Sequence, residues 1–387
     1  MRTSKATVAA IGTGGTIAGQ LRPDQAGYDP AVHGIGAVVE ADPLVRSFAP
    51  NLQLDTLQDP NAVSETNPQG YVNVASSLLT PSHLLLLTAQ CRQKLKNPNV
   101  SGLVVTSGTD AQSTILVWLQ MTVPEAREKP LVVVGAARPT FIEVPNRGGT
   151  PEIQLNPDAD GPANLMAAVA AAIDPEAKGR GVLHAMQGVV SSGFDVTKLG
   201  GTPLRGPITP TFSQGSFAAL GRVQASLPRI VWSERVRLPE MLTFHVSTKG
   251  VSEQDLPRVE TVADGVPRAT APASLDFSYR ELGIKAYVVS GSGDGSMSAG
   301  LQEWAKANDA DKDLVLLRAG RPEQASPQIK NAFWPGTLGA SWMGPEQAHV
   351  FLQLALLHIR RDPESVPGEG LRAKVAHLLE RYTPVAQ

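Results

Sequence analysis

The sequence predicts an α/β fold with a parallel sheet, divided into a larger N-terminal and a smaller C-terminal domain. Three observations lead there. Short runs that are apolar on both faces recur, each followed by a loop and then a helical pattern. A polar stretch from Leu227 to Asp255 interrupts that rhythm. The length of 387 residues exceeds what one ordinary hydrophobic core takes.

Ala6 to Ile11, Val100 to Thr106, Pro130 to Gly135 and Gly181 to Met186 are the apolar runs. Doubly apolar runs of this length belong to parallel strands buried on both faces. Pro81 to Leu95 and Ala163 to Ile173 carry helical periodicity between them, so right-handed crossovers join the strands. Leu54 to Gly70 and Thr140 to Pro162 read as long loops, the second holding Asn146-Arg147-Gly148-Gly149; loops of that length in a compact domain are usually functional. Leu227 to Asp255 lacks a clean period and contains Pro228 and Pro239. It reads as a connection with some strand at Arg229 to Trp232. A second set follows: a strand at Lys285 to Ser290, a helix at Met297 to Asn308, a strand at Asp313 to Leu317, and a helix at Pro345 to Arg360. Pro345 and Glu346 suit the first turn of that last helix. The expected division is 1–226, a linker at 227–256, and 257–387.

Hydrophobic residues make up 42% and charged residues 18% of the chain, an ordinary globular balance. The net charge of −2 gives no basic surplus for binding phosphates, so a nucleic-acid partner is not expected. The one cysteine, Cys91, permits neither an intramolecular disulfide nor a cysteine zinc site; it reads as a small half-buried residue. The seven histidines form no HExxH pattern, so neither a metal nor another cofactor is expected. No run of about eighteen apolar residues occurs, so no transmembrane helix is expected. The polar start, Met1 to Thr7, is unlike a signal peptide. A cytoplasmic protein follows most simply, although a mature secreted form would read the same.

Three motifs carry chemistry. Ile11-Gly12-Thr13-Gly14-Gly15-Thr16-Ile17-Ala18-Gly19 directly follows the first strand, where ligands of open α/β sheets bind. Its glycines let backbone N–H groups approach a ligand. A dinucleotide fingerprint fits poorly, because its third glycine position falls on Ile17; a simple turn is the other alternative. Val104-Val105-Thr106-Ser107-Gly108-Thr109-Asp110 sets a hydroxyl and a carboxylate at a second strand end, a pattern that also serves as a helix cap. Phe194-Asp195-Val196-Thr197-Lys198 offers a loop lysine. Such a lysine is normally solvated, but one partly desolvated beside a hydroxyl and a carboxylate can act as a base.

In order along the chain, Thr13-Gly14-Gly15-Thr16-Ile17-Ala18-Gly19, Gly108-Thr109-Asp110, Gly135-Ala136-Ala137-Arg138-Pro139, Asp160-Gly161-Pro162-Ala163-Asn164-Leu165 and Asp195-Val196-Thr197-Lys198 resemble the blocks of the bacterial-type L-asparaginase/glutaminase family. Gly336-Thr337-Leu338, Pro345 and Leu352-Gln353-Leu354-Ala355-Leu356 extend the resemblance almost to the end. The resemblance implies a larger flavodoxin-like N-terminal domain with a parallel sheet and a smaller C-terminal α/β domain. It implies Thr16 as primary nucleophile with Tyr28 beside it, and Thr109, Lys198 and Asp110 as a second set. Ser76, followed by Ser77, would help hold a substrate α-carboxylate, and Asp110 would also bind the α-ammonium group. The backbone at Gly15 and Gly108 would line the substrate. The implied substrate is L-asparagine, with L-glutamine one methylene longer and only modestly discriminated. A homo-oligomer, dimer or tetramer, is also implied.

The chain departs from the family pattern at several places. Ser107 stands where a histidine is usual, Ser77 and Leu78 where a Gln-Asp pair is common, and Ala111-Gln112-Ser113-Thr114 after the Gly-Thr-Asp block. Ser296 occupies the position of an asparagine. The stretch between Pro139 and Asp160 is longer than usual by over a dozen residues, and Glu323 is the acidic candidate for a residue supplied by a neighbouring subunit. None of these removes a hydroxyl nucleophile. They leave open an amidohydrolase for another amide, and a non-catalytic small-molecule binder on the same scaffold.

Overall fold

The structure is a computed structural model and describes residues 7–22, 28–48, 51–146, 149–193, 196–198, 219–224, 229–232, 245–321, 327–331 and 333–382. Phe194, Asp195 and Glu323, as well as residues 227–228 and 233–244 of the expected 227–256 linker, lie outside the described residues. The chain forms two compact units, Met1–Arg237 and Leu238–Gln387.

In chain order the first unit contains β1 (Thr7–Gly12), β2 (Gln20–Leu21), β3 (Tyr28–Asp29), α1 (Ile35–Ala41), α2 (Pro43–Phe48), β4 (Leu52–Thr56), α3 (Pro81–Lys96), β5 (Val100–Thr106), α4 (Gln112–Thr122), β6 (Leu131–Val134), β7 (Phe141–Val144), β8 (Glu152–Leu155), α5 (Gly161–Ile173), β9 (Val182–Met186), β10 (Val189–Ser192), β11 (Ala219–Gln224) and β12 (Arg229–Trp232). Eight strands form one sheet in the order β12-β11-β10-β9-β6-β5-β1-β4. The five from β4 to β9 pair in parallel; β10, β11 and β12 continue antiparallel. Counted along the chain, the parallel strands lie in the flavodoxin-like order 2-1-3-4-5. The chain leaves β1 toward β4 on one side and returns to β5 on the other. The switch point therefore falls between β1 and β5, whose carboxyl ends carry the two threonine motifs.

The apolar runs explain the layers. Val8, Ala10, Val104, Val132, Val134, Leu183 and Ala185 share a core with Leu165, Ala168, Val169 and Ala172 of α5 and with Ile35 and Val38 of α1. Each large aliphatic side chain so buried contributes roughly 1.5–3 kcal/mol. α5 crosses close to β5: a Cβ at Gly102 would lie 2.0 Å from the carbonyl oxygen of Ala172. α3 and α4 also pack against the sheet and against each other. α4 is buried from Ile115 to Thr122, and its Trp118 Nε1 donates to Thr88 Oγ1 of α3 at 2.8 Å.

The segment expected to be a long loop between Thr140 and Pro162 is instead a β-hairpin. β7 and β8 pair antiparallel, and β7 pairs in parallel with β2, giving a second sheet of order β3-β2-β7-β8. The reason is local. Ile142-Glu143-Val144 and Glu152-Ile153-Gln154-Leu155 alternate apolar with polar around a glycine-containing turn. Residues 229–232, expected as strand within the connection, are the edge strand β12 of the main sheet, antiparallel to β11.

The second unit contains β13 (Glu260–Asp264), α6 (Ala273–Arg280), β14 (Ala286–Gly291), α7 (Ala299–Ala307), β15 (Val315–Gly320), β16 (Leu338–Gly339), α8 (Pro345–Arg361) and α9 (Gly370–Tyr382). Its parallel sheet has the order β13-β14-β15-β16. Tyr287, Val289, Leu301, Leu314 and Leu316 form its core. Arg318 is buried on β15; burial holds its guanidinium down to about 10, and Nε donates to Thr337 Oγ1 at 2.8 Å.

Candidate active site

The first threonine turn is built by glycines. After β1 the backbone takes φ 97° at Gly14 and 86° at Gly15, a region open to glycine and costly for other residues. Close approach adds a second requirement. A Cβ on Gly14 would sit 2.5 Å from Val74 N, and one on Gly15 would sit 2.2 Å from Gly108 N. The chain then enters a short 3-10 turn, Thr16–Ala18. No α-helix opens there, so the helix N-terminus that a dinucleotide fingerprint supplies is lacking at this turn.

The second turn follows β5. Thr13 N donates to Thr106 O at 3.0 Å, joining the two strand ends. Thr109 opens a 3-10 turn that leads into α4. Because Gly15 packs directly on Gly108, the residues that follow them, Thr16 and Thr109, stand on touching turns. Ser76 joins the same contact, since a Cβ on Gly108 would lie 2.5 Å from Ser76 Oγ. Thr16, Ser76 and Thr109 are all buried.

Each threonine has its own polar partner. Thr16 Oγ1 is hydrogen-bonded to Tyr28 OH at 2.7 Å. Lys198 Nζ donates to Thr109 Oγ1 at 2.9 Å and to Asp110 Oδ1 at 2.5 Å. The Lys198 side chain is 23% exposed and that of Asp110 64% exposed, so this charged pair stands at the border of solvent. Since Thr109 Oγ1 accepts from the ammonium, its own hydrogen remains to be donated elsewhere. Lys198 can remove a proton from Thr109 only after losing one of its own.

A buried polar network supports the second turn. Gln112 Nε2 donates to Ser107 O at 3.2 Å, and Gln112 Oε1 lies 3.0 Å from His184 Nε2. Burial holds the His184 imidazole down at about 3, so the ring is neutral and donates through Nε2 to the amide oxygen. Ser107 is fully buried, and its Oγ donates to Gly108 O at 3.3 Å.

A second clamp secures the neighbouring strand end. The Asp160 carboxylate accepts from Ala137 N at 3.0 Å, Arg138 N at 2.9 Å and Asn164 Nδ2 at 2.9 Å. Asn164 Nδ2 also donates to Gly135 O at 3.0 Å. Thr140 Oγ1 donates to Ile17 O at 2.6 Å, linking this clamp to the Thr16 turn. Sequence reasoning groups these residues only by resemblance, and it misses Gln112 and His184. A polar residue opening an otherwise apolar helix, and a histidine inside the apolar run Val182–Met186, are the signals available.

Of the sequence-derived site residues, Gly15, Thr16, Tyr28, Ser76, Gly108, Thr109, Asp110 and Lys198 form one connected cluster. Ser77 shares the Ser76–Leu78 turn but is exposed. Ser296 lies in the second unit, where Ser296 N donates to Ser292 O at 2.8 Å. Among the described residues, no group of three or more His, Cys, Asp or Glu side chains is placed to hold a metal ion.

These features describe an α/β protein whose candidate site lies at the switch point of a flavodoxin-like sheet. Comparison with known proteins makes that class specific. The family described as Asparaginase, N-terminal matches residues 7–235. A glutaminase-asparaginase of Acinetobacter glutaminasificans is 29% identical over 358 residues, covering 91% of this chain and 95% of that protein. L-asparaginase 2 of Bacillus subtilis is 27% identical over 363 residues, covering 92% and 84%. A probable L-asparaginase 1 of Schizosaccharomyces pombe is 30% identical over 350 residues, covering 89% and 82%. In fold, the crystal structure of a probable cytoplasmic L-asparaginase from Campylobacter jejuni matches with a TM-score of 0.74 at 24% identity, over 97% of this chain and 99% of that one. The chain belongs to the asparaginase family and is an amidohydrolase of that family.

Proposed function

We propose that this chain hydrolyses the side-chain amide of L-asparagine to L-aspartate and ammonia through an acyl-enzyme on Thr16, with some glutaminase activity. The observation that supports this most directly is the pair of buried threonine hydroxyls on touching turns, one bonded to Tyr28 and the other to Lys198. Thr16 Oγ attacks the amide carbon, its proton passing through the Tyr28 hydroxyl. Collapse of the tetrahedral intermediate breaks the C–N bond, and the nitrogen leaves as ammonia with a proton delivered from the site. Water then attacks the ester, which releases the carboxylic acid and restores the hydroxyl. Lys198, steadied by Asp110, supplies positive potential and a proton path through Thr109. Backbone N–H groups of the Gly15 and Gly108 turns stabilise the oxyanion. Ser76, Ser77 and Asp110 hold the substrate's α-carboxylate and α-ammonium groups, and Ser296 stands in for the family asparagine.

A specific observation favours a second reading, hydrolysis of another amide. Ser77 and Leu78, which replace a common Gln-Asp pair, are both exposed, and the β7–β8 hairpin enlarges the sheet that carries Tyr28. The proposed reading also includes domains at 1–226 and 257–387 joined by a linker at 227–256, a homo-oligomer, which light scattering tests, and a cytoplasmic location, which cell fractionation tests. Among the described residues no helix is long and apolar enough to cross a membrane.

The test is ammonia release from L-asparagine, L-glutamine and D-asparagine by the wild type and Thr16→Ala in parallel. Turnover of L-asparagine that disappears in Thr16→Ala is the expected result. Folded protein that releases no ammonia from any of them contradicts the reading and directs attention to other amides.

A further inference from the structure

Tyr28 does not sit on the main sheet. It lies on β3, which pairs with β2, and each of these strands has only two residues. A two-stranded ribbon of that size is not stable by itself in water. What extends it is the β7–β8 hairpin, through the parallel pairing of Gln20 with Phe141 and Leu21 with Ile142. The outer strand β8 is exposed along its whole length, so the hairpin has its own solvent face and turns its other edge to the strands that carry Tyr28.

One side chain of the hairpin ties these pieces together. Glu143 Oε2 accepts from Gln20 Nε2 at 3.0 Å and lies 3.6 Å from Arg22 Nε. Arg22 NH2 reaches Asp29 Oδ2, on the residue next to Tyr28, at 2.7 Å. The amide of Gln20 is buried, and its Oε1 lies 2.9 Å from His33 Nε2. The His33 ring rests on Phe141 with centroids 4.2 Å apart. The connections therefore close a loop from the hairpin through β2 and β3 and back to the hairpin. Gln20 and Arg22 both converge on the carboxylate of Glu143.

We propose that Glu143 is a positioning residue: through Gln20, Arg22 and Asp29 it fixes the strand that carries Tyr28, and so holds the Tyr28 hydroxyl against Thr16. This rests on the reading of Tyr28 as the partner of Thr16 in the reaction. Loss of the carboxylate leaves the Gln20 amide without its acceptor and Arg22 with one anionic partner fewer. The hairpin can still form from its own pairing, but the Tyr28 strand loses its anchor. A hydroxyl displaced by a fraction of an ångström no longer meets the nucleophile, and the cost falls on the chemical step more than on binding.

The experiment uses the full-length protein with Glu143→Ala and Glu143→Gln, each alone and combined with Tyr28→Phe. Hydrogen exchange at the amides of Gln20, Leu21, Tyr28 and Asp29 gives a readout independent of activity, and kcat and KM for L-asparagine give the second. Glu143→Ala is expected to raise exchange at those amides and to lower kcat about 10- to 100-fold, with KM changed less than about twofold. Glu143→Gln, whose amide oxygen still accepts from Gln20, recovers part of the loss. In the Tyr28→Phe background, Glu143→Ala costs almost nothing further, because both changes remove the same interaction. Unchanged exchange overturns the proposal. So do losses that multiply in the double variant, since Glu143 would then act independently of Tyr28. If the wild type releases no ammonia, the proposed function fails, while the exchange measurement still decides whether Glu143 anchors the strand.

Discussion

Thr16 and Thr109 occupy touching turns at the ends of adjacent strands, but what holds each hydroxyl differs. Thr16 meets a neutral phenol, brought in on a small separate sheet. Thr109 meets an ammonium that is itself paired with a carboxylate, and its turn is braced from beneath by Gln112 and the neutral His184. One arm has a charge-free partner on an outlying support; the other has a charged partner on a braced support. The first arrangement suits a nucleophile whose proton leaves through an uncharged hydroxyl. The second suits the delivery of charge and protons to a developing intermediate. The shared wall of the two arms is the Gly15–Gly108 contact, and it leaves no room for a side chain.

That comparison can be broken in graded ways. Gly15→Ala strikes both arms, because the new Cβ meets Gly108 N at 2.2 Å and φ is 86°. It is expected to cost about 3 kcal/mol or more in stability and to eliminate activity, as measured by thermal denaturation and ammonia release. Thr16→Ala touches one arm alone. It is expected to lower kcat at least about 10³-fold while the melting temperature stays near that of the wild type. Lys198→Ala should lower kcat about 10²-fold or more. Its stability change should stay under about 1 kcal/mol, because the Lys198–Asp110 pair is half open to water and screened. A larger loss of stability would show that the pair is structural.

The smallest effect on turnover concerns the brace under Thr109, which is read through stability instead. Burial keeps His184 at about 3 in the folded chain, whereas an exposed histidine titrates near 6.5. The unfolded chain therefore binds the extra proton first. This contribution is absent above about pH 6.5, grows as pH falls, and is complete near pH 3, so acid destabilises the fold by at most about 1.4 kcal/mol per pH unit across that window. Denaturant midpoints at pH 7 and pH 5 for the wild type and His184→Gln should show a smaller acid loss in the variant; equal losses would contradict the assignment.

The main sheet is legible in the sequence because buried parallel strands are apolar on both faces. Ala9 to Ile11, Leu103 to Val105 and Leu131 to Val134 need no tertiary information to be read. The glycine turns are legible for a similar reason, since their conformation is written in the residue type. The β7–β8 hairpin escapes such a reading although Ile142 to Val144 and Glu152 to Leu155 alternate. Each strand is only four residues long, and a short alternating run is weak evidence until a neighbour pairs with it. Of the antiparallel strands, β12 is legible as strand at Arg229 to Trp232, whereas the four-residue β10 is too short for such a reading. The Lys198 contacts with Thr109 and Asp110 join residues 89 and 88 positions apart, and no local pattern encodes such a distance; only the resemblance points to them. Gln112 and His184 read as a helix start and a strand interior, and their pairing exists only once α4 lies beside β9.

The most direct test of the account is to find where the acyl group sits. Wild-type protein mixed with L-asparagine is quenched rapidly with acid, digested, and searched by mass spectrometry for an aspartyl ester. The account predicts the ester on the peptide containing Thr16 and none on the peptide containing Thr109. An ester on Thr109, or rapid ammonia release with no ester on either threonine, would contradict it.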